Sequence, residues 1–211
     1  MNPAEELKRG SEQLGISLSV DKQSRLLDYL ALLLKWNKFY NLTAVRDPEQ
    51  MVSHHLLDSL SVMPHLWSGR WLDVGCGAGL PGLVLAISKP EWQFSLLDSN
   101  SKKTSFVQQA IVELGILNAT VYCARVEHWQ PAILFDGIIS RAFADLGNFL
   151  RYTRHLAKPH GRWAAMKGNS EHELAGVPPG CDVERVIPLQ IPGLKAARSL
   201  VIASCMECET T

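Results

Sequence analysis

Two spacings of apolar residues divide this chain. Up to about residue 70 the spacing is helical: Leu26, Leu27, Leu30, Leu33, Leu34 and Trp36 recur every three or four positions within residues 22–40, giving that run one broad apolar face. Asp21 stands where its N-cap is expected, and Pro48 opens a second helical run predicted to end near Leu66. Between them Asn41-Leu42-Thr43-Ala44-Val45-Arg46-Asp47 reads as a loop. From Arg70 the pattern changes to short β runs at 71–74, 94–98, 120–123, 137–140 and 162–166, with helical stretches at 83–88 and 102–114, the latter stopped by Gly115. Strands alternating with helices predict a parallel sheet covered on both faces. After a turn-rich segment with Gly176, Pro178, Pro179 and Gly180, two last runs at 185–191 and 199–205 are joined by about seven residues. That connection is short for a parallel crossover, so the pair is expected to be antiparallel. The predicted architecture is α/β: a mostly parallel seven-stranded sheet with an antiparallel last strand, formed by residues 70–211, with residues 1–69 as a helical extension packed on it.

Composition supports one globular unit, with 46% hydrophobic residues among 211. The longest apolar runs are short, and Glu5, Glu6, Lys8 and Arg9 occupy the amino terminus, so neither a membrane span nor a signal peptide is expected and the protein is placed in the cytoplasm. Five cysteines, an odd number without regular spacing, are expected to be reduced thiols. Cys205-Met206-Glu207-Cys208 is a lone C-x-x-C with no second pair or histidines to complete a tetrahedral site, and no metal is expected. The 21 basic and 21 acidic side chains cancel, which removes the simplest argument for a nucleic-acid partner but leaves room for a local basic face.

The segment Leu72-Asp73-Val74-Gly75-Cys76-Gly77-Ala78-Gly79-Leu80-Pro81-Gly82 sits at the first strand-to-helix junction. Glycines at alternate positions let the backbone turn sharply and approach a ligand, leaving amide donors near the helix start. Asp98 ends the next strand, 21 residues after Gly77, where a carboxylate can accept hydrogen bonds from both hydroxyls of a ribose. Gly77 to Gly82 also satisfies G-x-G-x-x-G, so a nicotinamide dinucleotide stays open as a rival ligand. Register favours S-adenosylmethionine, because Gly77 is preceded by Gly75 and an acidic residue, and Asp-x-Gly-x-Gly-x-Gly resembles the first motif of class I methyltransferases.

The acceptor can be narrowed by chemistry. Ile139-Ser140-Arg141-Ala142 and Met166-Lys167-Gly168 offer no cysteine nucleophile of the kind cytosine C5 methylation requires, and no Asn/Asp-Pro-Pro-aromatic element for an exocyclic amine. A ring nitrogen such as guanine N7 carries an exposed lone pair and loses no proton, so it needs positioning more than a base. Arg141, Arg151, Arg154, Lys158, Arg162 and Lys167 stand against one carboxylate, Asp145, within 141–168, and His155, His160 and Trp163 interleave with them. Such a stretch beside the ligand-binding edge suits RNA phosphates and stacked bases, although each residue taken singly also suits an ordinary solvated surface.

Seven segments now occur in the order of the glucose-inhibited division protein B family, the bacterial small-subunit ribosomal RNA guanine-N7 methyltransferases, which the chain resembles over nearly its whole length. They are Asn41 to Asp47, His55-Leu56-Leu57-Asp58-Ser59-Leu60, Asp73 to Gly82, Leu97-Asp98-Ser99, Arg125-Val126-Glu127, Ser140-Arg141-Ala142-Phe143 and Lys167-Gly168. The resemblance implies a class I, Rossmann-like fold and methyl transfer from S-adenosylmethionine to N7 of guanine 527 of 16S rRNA, free or in the small ribosomal subunit. It also implies cofactor contacts from Gly75, Leu80, Val126, Glu127 and Arg141, to which the loop glycines Gly77 and Gly79 and the ribose argument for Asp98 are added. Cys76 stands where relatives often carry Ser or Thr. Arg141, Lys167, His55, Asn41 and Arg46 are the substrate-pocket candidates, with no catalytic residue assigned. His55 and Asp58, three apart on a helix, also fit a local hydrogen bond, and Lys167 gains weight from ending a strand. A monomer is favoured. A methyltransferase for another RNA, a protein or a small molecule, an NAD-dependent oxidoreductase and a non-catalytic RNA-binding module remain the rivals.

Overall fold

The computed structural model describes residues 2–141, 143–168 and 176–206. Two helices open the chain, α1 (Pro3–Gln13) and α2 (Val20–Tyr40). Ser19, not Asp21, caps α2: its extended backbone places the hydroxyl to accept from Lys22 N at 3.3 Å, and Asp21 becomes a first-turn acid favoured by the helix dipole. Asn41 ends α2 in the left-handed conformation that asparagine tolerates. The buried face of α2 includes Tyr29 and Leu32 besides the expected Leu26, Leu30 and Leu33, while Leu27, Leu34 and Trp36 are only partly covered.

The run predicted from Pro48 to near Leu66 is not one helix. It comprises α3 (Pro48–Met51), a π-helical stretch Val52–Leu57, α4 (Asp58–Leu60) and a 3-10 turn Met63–His65. The widened turn alters the angular offset between His55 and Asp58.

The sheet strands are β1 (Arg70–Val74), β2 (Gln93–Asp98), β3 (Ala119–Cys123), β4 (Phe135–Arg141), β5 (Ala157–Lys167), β6 (Cys181–Leu189) and β7 (Arg198–Cys205). Their order is β3-β2-β1-β4-β5-β7-β6, with β1 to β5 mutually parallel and β7 antiparallel to both its neighbours. The seven strands and the antiparallel last one agree with the pattern of apolar runs. Helices α5 (Gly82–Ser88) and α6 (Ser101–Glu113) lie on one face, and α7 (Leu146–Thr153), capped by Asp145 and absent from the sequence reading, lies on the other. Two apolar clusters result. One joins Leu7, Leu26, Tyr29 and Leu33 of the amino-terminal helices to Trp71, Leu83 and Phe106, and the other joins Leu72, Ile138, Phe149 and Trp163. Gly137 of β4 faces the Trp71 ring, and a Cβ there would meet it at 2.6 Å, so only glycine lets the two strands keep their spacing.

Cys181 and Cys205 form a disulfide, which corrects the expectation that all five cysteines are thiols. Antiparallel pairing of β6 with β7 sets the two residues directly opposite each other, a proximity that sequence spacing does not reveal. Cys208 and Ala142 lie outside the described residues. Among the described residues no helix is long and apolar enough to cross a membrane.

Candidate active site

The strand order reverses between β1 and β4, and a crevice opens beyond the carboxyl ends of the strands at such a switch point. The glycine-rich loop fills the junction of β1 and α5. Gly75, Gly77 and Gly79 all take positive φ, of 67°, 56° and 88°, which a side-chain-bearing residue would resist. Gly75 N and Cys76 N both donate to Leu97 O, and Gly77 N donates to Asp98 Oδ2 at 2.9 Å, so β2 holds the loop. From the other side the buried Tyr29 hydroxyl of α2 donates to Ala78 O at 2.7 Å. Asp73, fully buried, accepts from Gly82 N at 2.8 Å through Oδ2, while its Oδ1 has no hydrogen-bond partner. Burial, opposed by the Gly82 amide and the Arg141 guanidinium, pushes this carboxyl up to about 7.

Beside the loop lies a cleft of about 220 Å³, near the size of a nucleoside rather than a complete dinucleotide. Gly75, Asp98, Val126 and Glu127 line it, four of the eight residues expected at the cofactor, with Val126 and Glu127 on the 3-10 turn that follows β3. Leu97, Val126 and Phe143 give it apolar walls, and Lys103 and Arg125 balance the two carboxylates. Gly77 reaches the cleft only through its bond to Asp98, and Gly79 and Leu80 do not line it, because the loop turns them toward α5. Asp98 Oδ1 accepts from Asn100 N, so both oxygens are anchored and each keeps a second lone pair for a ligand hydroxyl. An acidic strand end, apolar walls and a glycine turn fit the adenosine part of S-adenosylmethionine. Phe143 and Lys103 escaped the sequence reading, though Phe143 sits in a segment that had been singled out.

A second pocket, of about 440 Å³, is walled by Thr43, His54, His55, Asp58, Arg141, Lys167 and Arg198 among others. Arg141 belongs here and does not line the cofactor cleft. Its Nη1 donates to Asp58 Oδ2 and to His54 O, both at 3.0 Å, the latter a carbonyl of the π-helical turn. Arg198 Nε stands 3.3 Å from Asp58 Oδ1, so one carboxylate, 2% exposed, serves two guanidinium groups. His55 Nε2 pairs with Thr43 Oγ1 at 2.9 Å, and the local His55–Asp58 bond does not form. Burial and then the Arg141 charge pull the His55 imidazole down to about 4, which keeps it neutral near pH 7. Lys167 donates to Ala144 O at the end of β5. Asn41 and Arg46 bond to one another at the surface and do not line this pocket. Arg198 carried no motif; only its place before the last strand distinguished it.

The basic stretch does not gather at the ligand-binding edge. Arg141 and Lys167 lie there, whereas Arg151, Arg154 and Lys158 border a separate cleft and Arg162 pairs with Glu184. The reason is β5 itself: Ala157 to Met166 runs alongside Phe135 to Arg141, six strand steps or about 20 Å at ~3.3 Å each, so Lys158 and Lys167 stand near its opposite ends. Trp163 is buried, donating to Thr153 Oγ1, so it offers no stacking face. Among the described residues no group of three or more His, Cys, Asp or Glu could hold a metal ion.

Strand order, glycine turn and acidic end of β2 together define a class I methyltransferase. A glycopeptide N-methyltransferase, MtfA, complexed with S-adenosyl-L-methionine, shares this fold with a TM-score of 0.58 at 13% identity, over 73% of this chain and 88% of that one. A SAM dependent methyltransferase from Aquifex aeolicus gives 0.55 at 19%, over 80% and 96%. Residues 22–201 match the family model GidB, rRNA small subunit methyltransferase G, and the chain belongs to that family. The curated "Ribosomal RNA small subunit methyltransferase G" of Pseudomonas aeruginosa (strain UCBPP-PA14) is 53% identical over 204 residues, 96% of this chain and 95% of that one. Its namesake in Laribacter hongkongensis (strain HLHK9) is 51% identical over 202 residues, 95% and 98%.

Proposed function

We propose that this protein transfers a methyl group from S-adenosylmethionine to N7 of guanine 527 of 16S rRNA, acting in the cytoplasm where ribosomal subunits are found. The observation that carries this reading is a pair of cavities at the carboxyl ends of the parallel strands, one nucleoside-sized and lined by Gly75, Asp98 and Glu127, the other lined by His55, Arg141, Lys167 and Arg198. S-adenosylmethionine supplies an electrophilic sulfonium methyl. Asp98 and Glu127 would hold its ribose, and Leu97, Val126 and Phe143 would cover its adenine. N7 carries its lone pair in the ring plane and sheds no proton, so the chain needs no general base; orientation alone is worth up to ~7–11 kcal/mol.

Arg141 is fixed by Asp58 and His54 O and shapes the acceptor pocket without swinging into it. The methylated base becomes a cation, and the neutral His55 together with the Asp58 carboxylate limits the positive charge around it. Lys167 and Arg198 suit the phosphates that accompany the nucleotide. Residues 1–69 and 70–211 act as one body in this reading, since Tyr29 supports the glycine loop and Asp58 holds Arg141.

Incubation with radiolabelled S-adenosylmethionine and small subunits from cells lacking the enzyme, followed by borohydride and aniline, cleaves RNA at N7-methylguanine. A single new break at guanine 527 supports the proposal. Label in RNA without that break overturns the N7 assignment, and label absent from RNA points to a protein or small-molecule acceptor.

A further inference from the structure

The cleft bordered by the displaced basic residues is larger than either cavity at the active site, about 700 Å³, and lies toward the opposite end of β5. Among the described residues Arg151, Arg154, His155, Lys158 and His160 line it, and no carboxylate does. Their commitments elsewhere are few. Arg151 Nη1 bonds to Asn148 Oδ1, Arg154 Nη2 to the backbone of Met206, and His155 Nε2 to Trp129 O, which leaves the formal charge of both arginines without a counterion in those bonds. Lys158 alone shares its charge, with Asp136 at 2.8 Å.

Local backbone geometry builds this wall. Phe135 pairs with Ala157 and Gly137 with Arg162, so residues 158–161 of β5 bulge outward opposite the single residue Asp136. The bulge carries Lys158 and His160 out of the ladder, and His160 adopts φ 61°, a conformation that costs a non-glycine residue about 1 kcal/mol. Because the whole chain has zero formal net charge, a wall of this kind is a local concentration of cations and not a sample of a generally basic surface.

We propose that this cleft is a second RNA-docking site, which grips backbone phosphates of the small-subunit RNA about 20 Å along β5 from the pocket where the guanine is methylated. The inference rests on RNA being the substrate. Arginine forks, a lysine and imidazole N–H groups gathered on one wall match phosphate oxygens, and they do not match the mixed charges of a typical protein surface. Two contacts this far apart orient the enzyme on a folded RNA, whereas the active-site pocket by itself touches only one nucleotide and its neighbours.

The test is Arg151→Glu and the milder Arg151→Gln in the full chain, with intact small subunits as substrate. Arg151 is exposed and, among the described residues, its side chain bonds within its own helix, so both variants should fold, and unchanged affinity for S-adenosylmethionine verifies it. The expected result is a KM for subunits raised about tenfold by Arg151→Glu, kcat unchanged, and a slope of log affinity against log salt lowered by about one in Arg151→Gln. An unchanged KM and salt slope, or a loss equal to that in cofactor affinity, overturns the docking site. Photo-crosslinking from p-benzoylphenylalanine at position 151 decides the partner: label in RNA supports the proposal, and label only in a ribosomal protein overturns it. If the unaltered protein methylates no RNA, the proposed function fails and the docking site with it; if it does and the variants match it, the docking site alone fails.

Discussion

The cofactor cleft and the acceptor pocket both lie at the carboxyl ends of the parallel strands, yet they are made differently. The cleft takes Gly75, Asp98 and the Val126-Glu127 pair from the turns after β1, β2 and β3, three strands that are consecutive in both sequence and space, and backbone amides fix its shape. The pocket takes Thr43 from a loop, His55 and Asp58 from a broken helix, Arg141 and Lys167 from the ends of β4 and β5, and Arg198 from the start of β7. Its shape depends on side chains that hold one another across five segments. Generic binding of a common cofactor is thus built into a local motif, and choice of acceptor into a tertiary network.

If that contrast is sound, damage to the network should spread and damage to the cleft should stay local. Asp58→Ala should give the largest effect, because it leaves Arg141 and Arg198 facing each other without their shared carboxylate. The expected cost is about 3 kcal/mol, with roughly 6–10 °C lost from the Tm by calorimetry and methylation abolished; a Tm within about 2 °C of the unaltered protein would show the network to be dispensable for folding. Asp98→Ala should leave the fold intact while weakening S-adenosylmethionine binding about 30-fold, or ~2 kcal/mol, and unaltered affinity by titration calorimetry would remove the ribose assignment. Lys167→Ala should lower kcat/KM for RNA about tenfold with little change in cofactor affinity; equal losses in both would refute a substrate role.

The smallest effect is on pH dependence. Asp73, raised from 3.8 to about 7, keeps a proton in the folded state that the unfolded chain has released, so its contribution to stability falls as pH rises through that range. His55, lowered from 6.5 to about 4, remains neutral when the unfolded chain has already bound a proton, so its contribution rises with pH between those values. The two oppose each other across acidic pH. Asp73→Asn should therefore steepen the rise of stability from pH 4 to 7, and His55→Gln should flatten it, as denaturant midpoints measured across that range would show. Parallel profiles for both variants would contradict the assigned directions.

Legibility of the site followed the same division. The glycine loop and Asp98 could be placed from order and spacing because each stands at the end of its own strand, whereas the Val126-Glu127 pair rests on the family resemblance. Arg141 is a candidate for both cavities from the sequence, since nothing local says that Asp58, 83 positions earlier, draws it to the acceptor side. Asn41 and Arg46 are the candidates their loop offers in the sequence, but Thr43 and Val45 are the loop residues that line the pocket. The basic stretch reads as one patch because its members are close in sequence, whereas the length of β5, about 20 Å, separates Lys158 from Lys167.

Alternation of apolar runs, turn residues and a glycine-rich junction determined the α/β architecture, the antiparallel end of the sheet and the place of the cofactor cleft, because these depend on interactions between near neighbours along the chain. The tertiary structure alone decided that Cys181 meets Cys205, that Asp58 joins two arginines and that the cations of β5 divide between two sites. Strand order, register and bulges bring those groups together or apart, and they are set by packing across the whole sheet rather than by any residue's own neighbours.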